Sequence, residues 1–470
     1  MKDLKDQDDH PDLQDYSTAK IDSDKSSVSD AIPKKALHTS DVIALIVGIV
    51  VGAGIFRTPS MVAGNTETTG IFFLTWILGG IVSLVGALCY AELTTTFPNT
   101  GGDYHFLKKA YGLRLAFLFA WARMSVIQTG SIALLAFIFG DYLSQVYNLG
   151  IYSSEIYAAL VVILLTGINI LGVNFGSGAQ KLLTTIEVIG IVLIIGVGFF
   201  FAPNENDIPA IAFDMSEHNT SVGLAMVFVL LTFGGWNEAA YISAELRSGS
   251  KKMVKALILG IIIITTVYLL INWAYVKVLG ITGMAQSDAV AADLMRVTVG
   301  ESGVILIGLL VAVAAMTSAN ATIFTGARSN YALGRDFQIF SILGRWNSNP
   351  SGPINAFIVQ GLISLLLIGL GLLTRNGFET IVEYTAPVFW FFFLLVGIAL
   401  FILRKKEPDA KRPFRVPLYP VTPILFCLTS LYLLYSSIIY TGWGALVGIG
   451  VLLLGILFLV AIPKNKLIPK

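Results

Sequence analysis

The sequence has few of the residues that build metal centres, disulfide frameworks or charged surfaces. Its 470 residues include two cysteines and four histidines, and charged residues make up 13% of the chain. Cys89 and Cys427 both lie in apolar runs, so we interpret them as small hydrophobic residues rather than as a disulfide framework. The sequence contains no cluster of His and Cys residues that would indicate a metal site or an intramembrane enzyme. We therefore expect no cofactor beyond a transported ion.

A cleavable signal peptide is also lacking. Residues 1–37 are rich in Asp, Lys and Ser and contain no apolar core, so we predict a disordered tail on the cytosolic side. A second short tail, 463–470, is expected on the same side.

Apolar residues are abundant, at 55% of the chain, which indicates an integral membrane protein in contact with the lipid bilayer. About twelve runs are long enough to span a membrane, and the alternating pattern of a transmembrane barrel is absent. We call these runs spans 1 to 12; they lie near 39–64, 69–96, 112–140, 155–173, 178–202, 219–246, 254–280, 301–332, 354–374, 378–403, 419–440 and 443–462.

Basic residues predict the orientation. Connections such as "HFLKKAYGLR" and "RKKEPDAKRPFR" alternate with nearly base-free ones such as 141–156 and 203–220. The positive-inside rule places the basic loops and both termini in the cytosol, with the spans in the plasma (inner) membrane. We interpret the basic runs as topology determinants, and no nucleic-acid-binding module accompanies them.

Glycines interrupt two spans at corresponding places. Span 1 contains "GAG" at 52–54 followed by Pro59, and span 6 contains "TFGGWN" at 232–237. These spans open two blocks of five, which predicts an inverted repeat with a substrate site near the membrane midplane. Unwound N–H groups suit a carboxylate and freed carbonyls suit an ammonium group, so an α-amino acid fits both. The alternative is that the glycines only allow close helix packing.

Several motifs resemble one family. "GAGIF…P", "GALCYAELTTTFPNTGGDYHFLKKAYG" (86–112), "GGWNEAAYISAELRSGSKKM" (234–253), "SANATIFTGAR" (318–328) and "RPFRVPLYP" (412–420) occur in the order of the amino acid–polyamine–organocation (APC) superfamily, and are similar to its L-type amino acid transporter branch. The resemblance implies an all-α membrane protein of the leucine-transporter type, with broken helices 1 and 6. It also implies secondary active, alternating-access transport of amino acids. The transport core would cover 38–403, and a cytosolic loop with spans 11 and 12 would cover 404–462.

The resemblance assigns backbone roles at both breaks. The amides of Ala53 and Gly54 would meet the substrate carboxylate. The carbonyls of Val50, Leu231 and Gly234 would meet its amino group.

Side chains near the breaks depart from the branch. Leu231 stands where an aromatic gate is usual; Phe233 is a candidate gate, with ordinary packing as the alternative. Asn237 matches the asparagine of the branch and is expected to line the site or to bind unwound backbone. Gln128, which with Thr129 replaces an Arg-Pro of the branch, is expected to face the site or its edge. Glu238 is an intramembrane acid with either a functional role or a pairing role.

A coupling ion is the open question. Sodium-coupled relatives of this fold bind the cation at positions matching Gly48, Val51, Thr317 and Ser318, although Ser and Thr also hydrogen-bond within helices. Glu187 replaces a lysine that sodium-independent members carry, and it is expected to bind a cation or to titrate.

We rank the functional hypotheses according to these departures from the branch. Cation-coupled uptake of neutral amino acids comes first, with Na⁺ and H⁺ both open. A cation-independent exchanger, or a carrier of cationic amino acids or polyamines, is the alternative. Animal members of the branch that the chain resembles pair with a subunit through a cysteine in the loop between spans 3 and 4. Residues 141–156 contain no cysteine, so we expect no disulfide-linked subunit.

Two charged residues are expected to have structural or surface roles. We expect Glu92, near a helix end, to pair with basic residues in loops. Arg57, just after the first break, is expected to lie toward the outside, where it guides anionic groups or reaches water.

Overall fold

The structure, a computed structural model, describes residue 50 and residues 52–99, 101–171, 177–201, 221–237, 250–348, 351–374, 377–439 and 443–461. The predicted tails lie outside the described residues, and so do three predicted site residues: Gly48, Val51 and Glu238. The division of the chain into tail, core and appended spans stays a prediction.

Helices make up nearly all of the secondary structure in the described residues. Apolar runs with few helix breakers favour this state, because lipid offers no partner for a free backbone group. Spans 2 to 12 each contain one: Thr69–Thr96, Leu113–Ala122 continuing as Gln128–Val146, Ser153–Ile170, Ser177–Phe200, Val222–Thr232, Ser250–Ala285, Glu301–Asp336, Ile354–Thr374, Gly377–Lys406, Val421–Ile439 and Trp443–Ala461.

A few shorter elements complete the described structure. Span 3 is joined across a π-helical turn, Arg123–Ile127. Two loop helices, Gly102–Tyr111 and Val290–Thr298, precede spans 3 and 8. The described strands are two residues long each, Asn347–Ser348 paired antiparallel with Ser351–Gly352.

Eight helices in the described part of the chain are long and apolar enough to cross a membrane. Three shorter apolar helices, Thr185–Phe200, Val222–Thr232 and Gly444–Val460, lie in spans 5, 6 and 12. The predicted class of a multi-pass, all-α membrane protein is therefore confirmed. The count of twelve spans and the inverted repeat stay predictions.

Glycines of span 2 let neighbouring helices approach closely. A Cβ on Gly79 would overlap Val229 of span 6, and one on Gly80 would lie 2.5 Å from the Thr265 hydroxyl of span 7. A Cβ on Gly86 would lie 2.7 Å from the Trp236 ring, just past the second break. Small residues at such crossings are the usual means of close helix packing in membranes, and here they place span 2 behind span 6.

Glu92 of span 2 pairs with basic residues as predicted. It is 2% exposed and accepts hydrogen bonds from Nε and Nη2 of Arg404 at 2.7 and 2.5 Å. It also accepts from the Val416 amide at 2.7 Å, and Arg412 Nε lies 3.6 Å away. This cluster joins span 2 to span 10 and to the loop that follows it.

Arg57 does not reach water, which corrects one of the two alternatives expected from the sequence. Its side chain is buried beside the segment before the second loop helix. Nη1 donates to the Ser287 carbonyl at 2.9 Å and Nη2 to Asp288 Oδ1 at 3.0 Å, while Nε lies 3.7 Å from Asp141 Oδ2. The guanidinium offers donors in several directions, so it hydrogen-bonds Ser287 and Asp288, and it forms an ion pair with Asp141.

Candidate substrate site

The predicted interruption of span 1 is present in the structure. Gly52 is extended, with φ −106° and ψ −175°, and a 3₁₀ turn follows over Ala53–Phe56. A short helix, Thr58–Gly64, then begins with a proline in its first turn. The first N–H groups of a helical segment have no acceptor within it, so the amides of Ala53 and Gly54 lie where the prediction needs donors.

The interruption of span 6 is also present. The helix ends at Thr232, and Gly235 has a φ of +105°, a left-handed conformation that glycine adopts without steric cost. Trp236 and Asn237 follow in a single helical turn. The glycine pair thus ends the helix rather than merely allowing it to pack closely.

The two breaks lie beside each other, and Tyr268 of span 7 joins them. A Cβ on Gly54 would lie 3.6 Å from Cγ2 of Thr232. The Tyr268 hydroxyl lies 2.6 Å from the Val50 carbonyl oxygen and 3.1 Å from that of Thr232, with one proton to share between them. Tyr268 is fully buried, so its hydroxyl requires such a partner.

One cavity of about 430 Å³ lies against both breaks. All seven residues predicted to bind substrate line it, together with Ser318 of the predicted cation set. These residues are Val50, Ala53, Gly54, Gln128, Leu231, Gly234, Asn237 and Ser318.

Two of the three carbonyls proposed for the amino group, those of Val50 and Leu231, already accept hydrogen bonds. The Val50 oxygen accepts from the Gly52 amide at 2.8 Å and from Tyr268. The Leu231 oxygen accepts from the Gly234 amide at 3.0 Å. A carbonyl oxygen has two lone pairs, so Val50 must release one partner before it accepts from a substrate.

Three of the described predicted residues lie outside the cavity lining: Thr317, Phe233 and Glu187. Thr317 donates its hydroxyl proton to the Val313 carbonyl at 2.8 Å, within its own helix. Phe233 is 1% exposed, and its ring packs against Trp76 and Tyr268 at centroid distances of 6.2 and 5.0 Å. This placement favours the packing alternative for Phe233 in this conformation.

Glu187 of span 5 lies within the protein rather than toward lipid. It is 4% exposed, and its Oε1 has no hydrogen-bond partner among the described residues. The carboxyl group interacts electrostatically with Tyr268, the residue that joins the breaks. Glu187 therefore lies within electrostatic range of Tyr268.

Sequence reasoning missed most of the remaining lining. Thr322 and Thr325 of span 8 line the cavity, and so do Asp103 of the first loop helix and Arg123 of span 3. Ser318, Thr322 and Thr325 recur at helical spacing within an apolar run, which is a signal for one polar face. Asp103 lies in a basic loop, where the sequence offers no comparable pattern.

A comparison with known families identifies the chain. The sequence model of the amino acid permease family matches residues 37–462. The chain belongs to the amino acid permease family. The resemblance to the APC superfamily is thereby confirmed, and the protein is a membrane permease for amino acids.

Curated relatives of the permease are amino acid transporters. The b(0,+)-type amino acid transporter 1 of Mus musculus is 32% identical over 425 residues, covering 88% of this chain and 85% of the relative. The human protein of that name is 31% identical over 454 residues, covering 93% and 90%. The large neutral amino acids transporter small subunit 2 of Mus musculus is 30% identical over 446 residues, covering 90% and 81%.

These names bear on the predicted partners. The term "small subunit" describes a protein that works in a complex, and it is applied to a relative that matches most of the chain. The expectation that this permease has no disulfide-linked subunit is therefore not supported by the comparisons. The expectations of an amino acid substrate and of a surrounding bilayer are supported.

Proposed function

We propose that this permease takes up neutral α-amino acids by alternating access and that protons drive the uptake through Glu187. The single observation that supports the site is the cavity between the two broken spans. The substrate carboxylate binds the amides of Ala53 and Gly54, at the start of a helical turn that favours an anion. Its ammonium group binds carbonyls at Leu231, Gly234 and Val50.

The charge of the cavity supports a neutral substrate. Asp103 and Arg123 are the charged residues among its described lining, and they have opposite signs. Such a pair leaves no net charge to recruit a cationic or an anionic side chain, whereas the zwitterionic head group is served by the breaks. The alternative of a cationic amino acid or polyamine substrate draws no support from these lining residues.

The surroundings of Glu187 support a proton rather than Na⁺. A carboxyl group inside a membrane protein is costly unless it pairs or titrates, and such groups mark ion or proton paths. Sodium needs several oxygen ligands around one point. Of the two described members of the predicted cation set, Ser318 lines the cavity and Thr317 does not.

We also propose that the permease works without a disulfide-linked subunit. The chain has two cysteines. Cys89 is buried in span 2 and Cys427 is half-buried in span 11, so both lie within apolar helices rather than in a loop. Migration of the purified protein as one band on a non-reducing gel is the expected result, and loss of a heavier band on reduction would contradict it.

Uptake by purified protein in proteoliposomes tests the function. Radiolabelled amino acids are presented with a pH gradient or a Na⁺ gradient imposed separately. We expect neutral amino acids to accumulate when the outside is acidic, with no response to Na⁺ alone. Counterflow that ignores both gradients would establish the exchanger instead, and accumulation driven by Na⁺ would move the coupling site to Thr317 and Ser318.

A further inference from the structure

Beyond the two breaks, the cavity lining from spans 3, 8 and 10 contains Arg123, Ser318 and five further polar side chains whose donors make hydrogen bonds within the protein. We call them the polar wall: Gln128, Ser131, Thr322, Thr325 and Thr385. Whether their hydrogen-bond donors are already used within the protein decides which substrate side chains they can bind.

Every hydroxyl of the polar wall already uses its proton. Each donates to the backbone carbonyl four residues earlier in its own helix. The distances are 2.8 Å for Thr322 and Thr385 and 2.9 Å for Ser131 and Thr325. A hydroxyl has one donor and two acceptor positions, so these groups offer only acceptor positions to the cavity.

Gln128 also uses both of its donors. Its Nε2 donates to the Thr322 carbonyl oxygen at 3.0 Å and to the Thr325 hydroxyl oxygen at 3.4 Å. The orientation of the amide is decided by the first contact, because a carbonyl only accepts. Gly326 makes room for the side chain, since a Cβ there would lie 2.6 Å from Gln128 Cγ. The amide oxygen, Oε1, remains as an acceptor.

We infer that the polar wall selects neutral amino acids whose side chains donate a hydrogen bond, such as carboxamides and hydroxyls, over aliphatic side chains of the same shape. A donor on the substrate finds acceptors that no helix bond occupies. An acceptor on the substrate finds none of these groups free to donate, so acidic side chains are disfavoured as well. This inference rests on the proposed function and specifies the substrate class of the same site.

Pairs of amino acids with nearly equal shape test the inference on the unmodified permease. We expect kcat/KM for uptake into proteoliposomes to be about tenfold higher for asparagine than for leucine, and higher for threonine than for valine, which corresponds to one neutral hydrogen bond. Asparagine is likewise expected above aspartate. Equal values for asparagine and leucine would overturn the inference while leaving amino acid transport intact, whereas no uptake of any amino acid would overturn the proposed function.

Two substitutions assign the selection to the polar wall. Gln128→Met keeps the length of the side chain but removes the amide oxygen, and the asparagine-to-leucine ratio is expected to fall to about one. Thr385→Val keeps the shape at a second wall position and is expected to lower the ratio about threefold, which keeps the test available if the Gln128 variant does not fold.

The matched control is Thr266→Val in span 7. Thr266 makes the same kind of bond, donating to the Ile262 carbonyl at 2.9 Å, but it is exposed and does not line the cavity. The asparagine-to-leucine ratio of the Thr266→Val variant is expected to equal that of the unmodified permease. A ratio unchanged in both wall variants would contradict the assignment to the polar wall.

Discussion

Two buried glutamates of this permease have almost the same exposure and opposite surroundings. Glu92 is 2% exposed and receives three hydrogen bonds from Arg404 and Val416, with Arg412 nearby. Glu187 is 4% exposed, and its Oε1 receives none from the described residues. Burial therefore does not separate a structural acid from a functional one, whereas the partners do.

The difference in hydrogen-bond partners indicates a different role for each carboxylate. A buried charge that is fully paired stabilises one arrangement, and removing one partner leaves the other uncompensated. A buried carboxyl group without a partner is held at a cost that a proton or a cation relieves. Glu92 joins helices, and Glu187 is the group we assign to coupling.

The largest expected effect comes from making Glu92 resemble Glu187. Arg404→Met removes the bidentate partner, and we expect the free energy of unfolding to fall by about 3 kcal/mol because a buried carboxylate loses its main counter-charge. Thermal or denaturant unfolding of the purified protein in detergent measures the change.

The double variant Glu92→Gln/Arg404→Met is the control. Removing both charges is expected to cost less than removing Arg404 alone, because no unpaired charge remains. A double variant less stable than the single one would show that the pair contributes no electrostatic stabilisation.

Glu187→Gln is expected to have the opposite profile. The glutamine has the same shape but takes up no proton, so accumulation driven by a pH gradient is lost while substrate counterflow continues. Stability is expected to stay within about 1 kcal/mol or to rise, because the Oε1 that is replaced has no hydrogen-bond partner among the described residues. Gradient-driven accumulation that survives in this variant would remove Glu187 from the coupling site.

The smallest effect is expected for Tyr268→Phe. This variant tests the connection between Glu187 and the breaks. The phenyl ring keeps the packing but loses the hydroxyl that lies against the Val50 and Thr232 carbonyls. We expect uptake kcat/KM to fall about tenfold, the loss of one neutral hydrogen bond that positions the site. Tyr275→Phe serves as the control, because Tyr275 is another buried tyrosine of span 7 and its hydroxyl has no hydrogen-bond partner among the described residues.

Local patterns in the sequence predicted the helices and the breaks well. The described helix of span 2 matches the predicted bounds of 69–96, and both glycine interruptions lie where the prediction placed them. Apolar length and glycine pairs are local signals, and lipid leaves the backbone few alternatives.

Long-range partners were harder to predict. Arg404 lies 312 residues from Glu92, and Tyr268 lies 218 residues from Val50. Periodicity within a span does not report which distant side chain faces it, so the sequence predicted pairing for Glu92 without naming Arg404. The burial of Arg57 was missed for the same reason, because its partners come from span 3 and from the loop after span 7.

Proton flux measured during uptake tests the central claim most directly. Purified permease is placed in liposomes with a pH-sensitive dye inside, and a neutral amino acid is added outside. We expect the interior to acidify in step with uptake, by about one proton per amino acid. Glu187→Gln is expected to abolish the acidification, whereas a Glu92→Gln variant that remains folded is expected to retain it. Uptake without acidification, or acidification that persists in Glu187→Gln, would contradict the account.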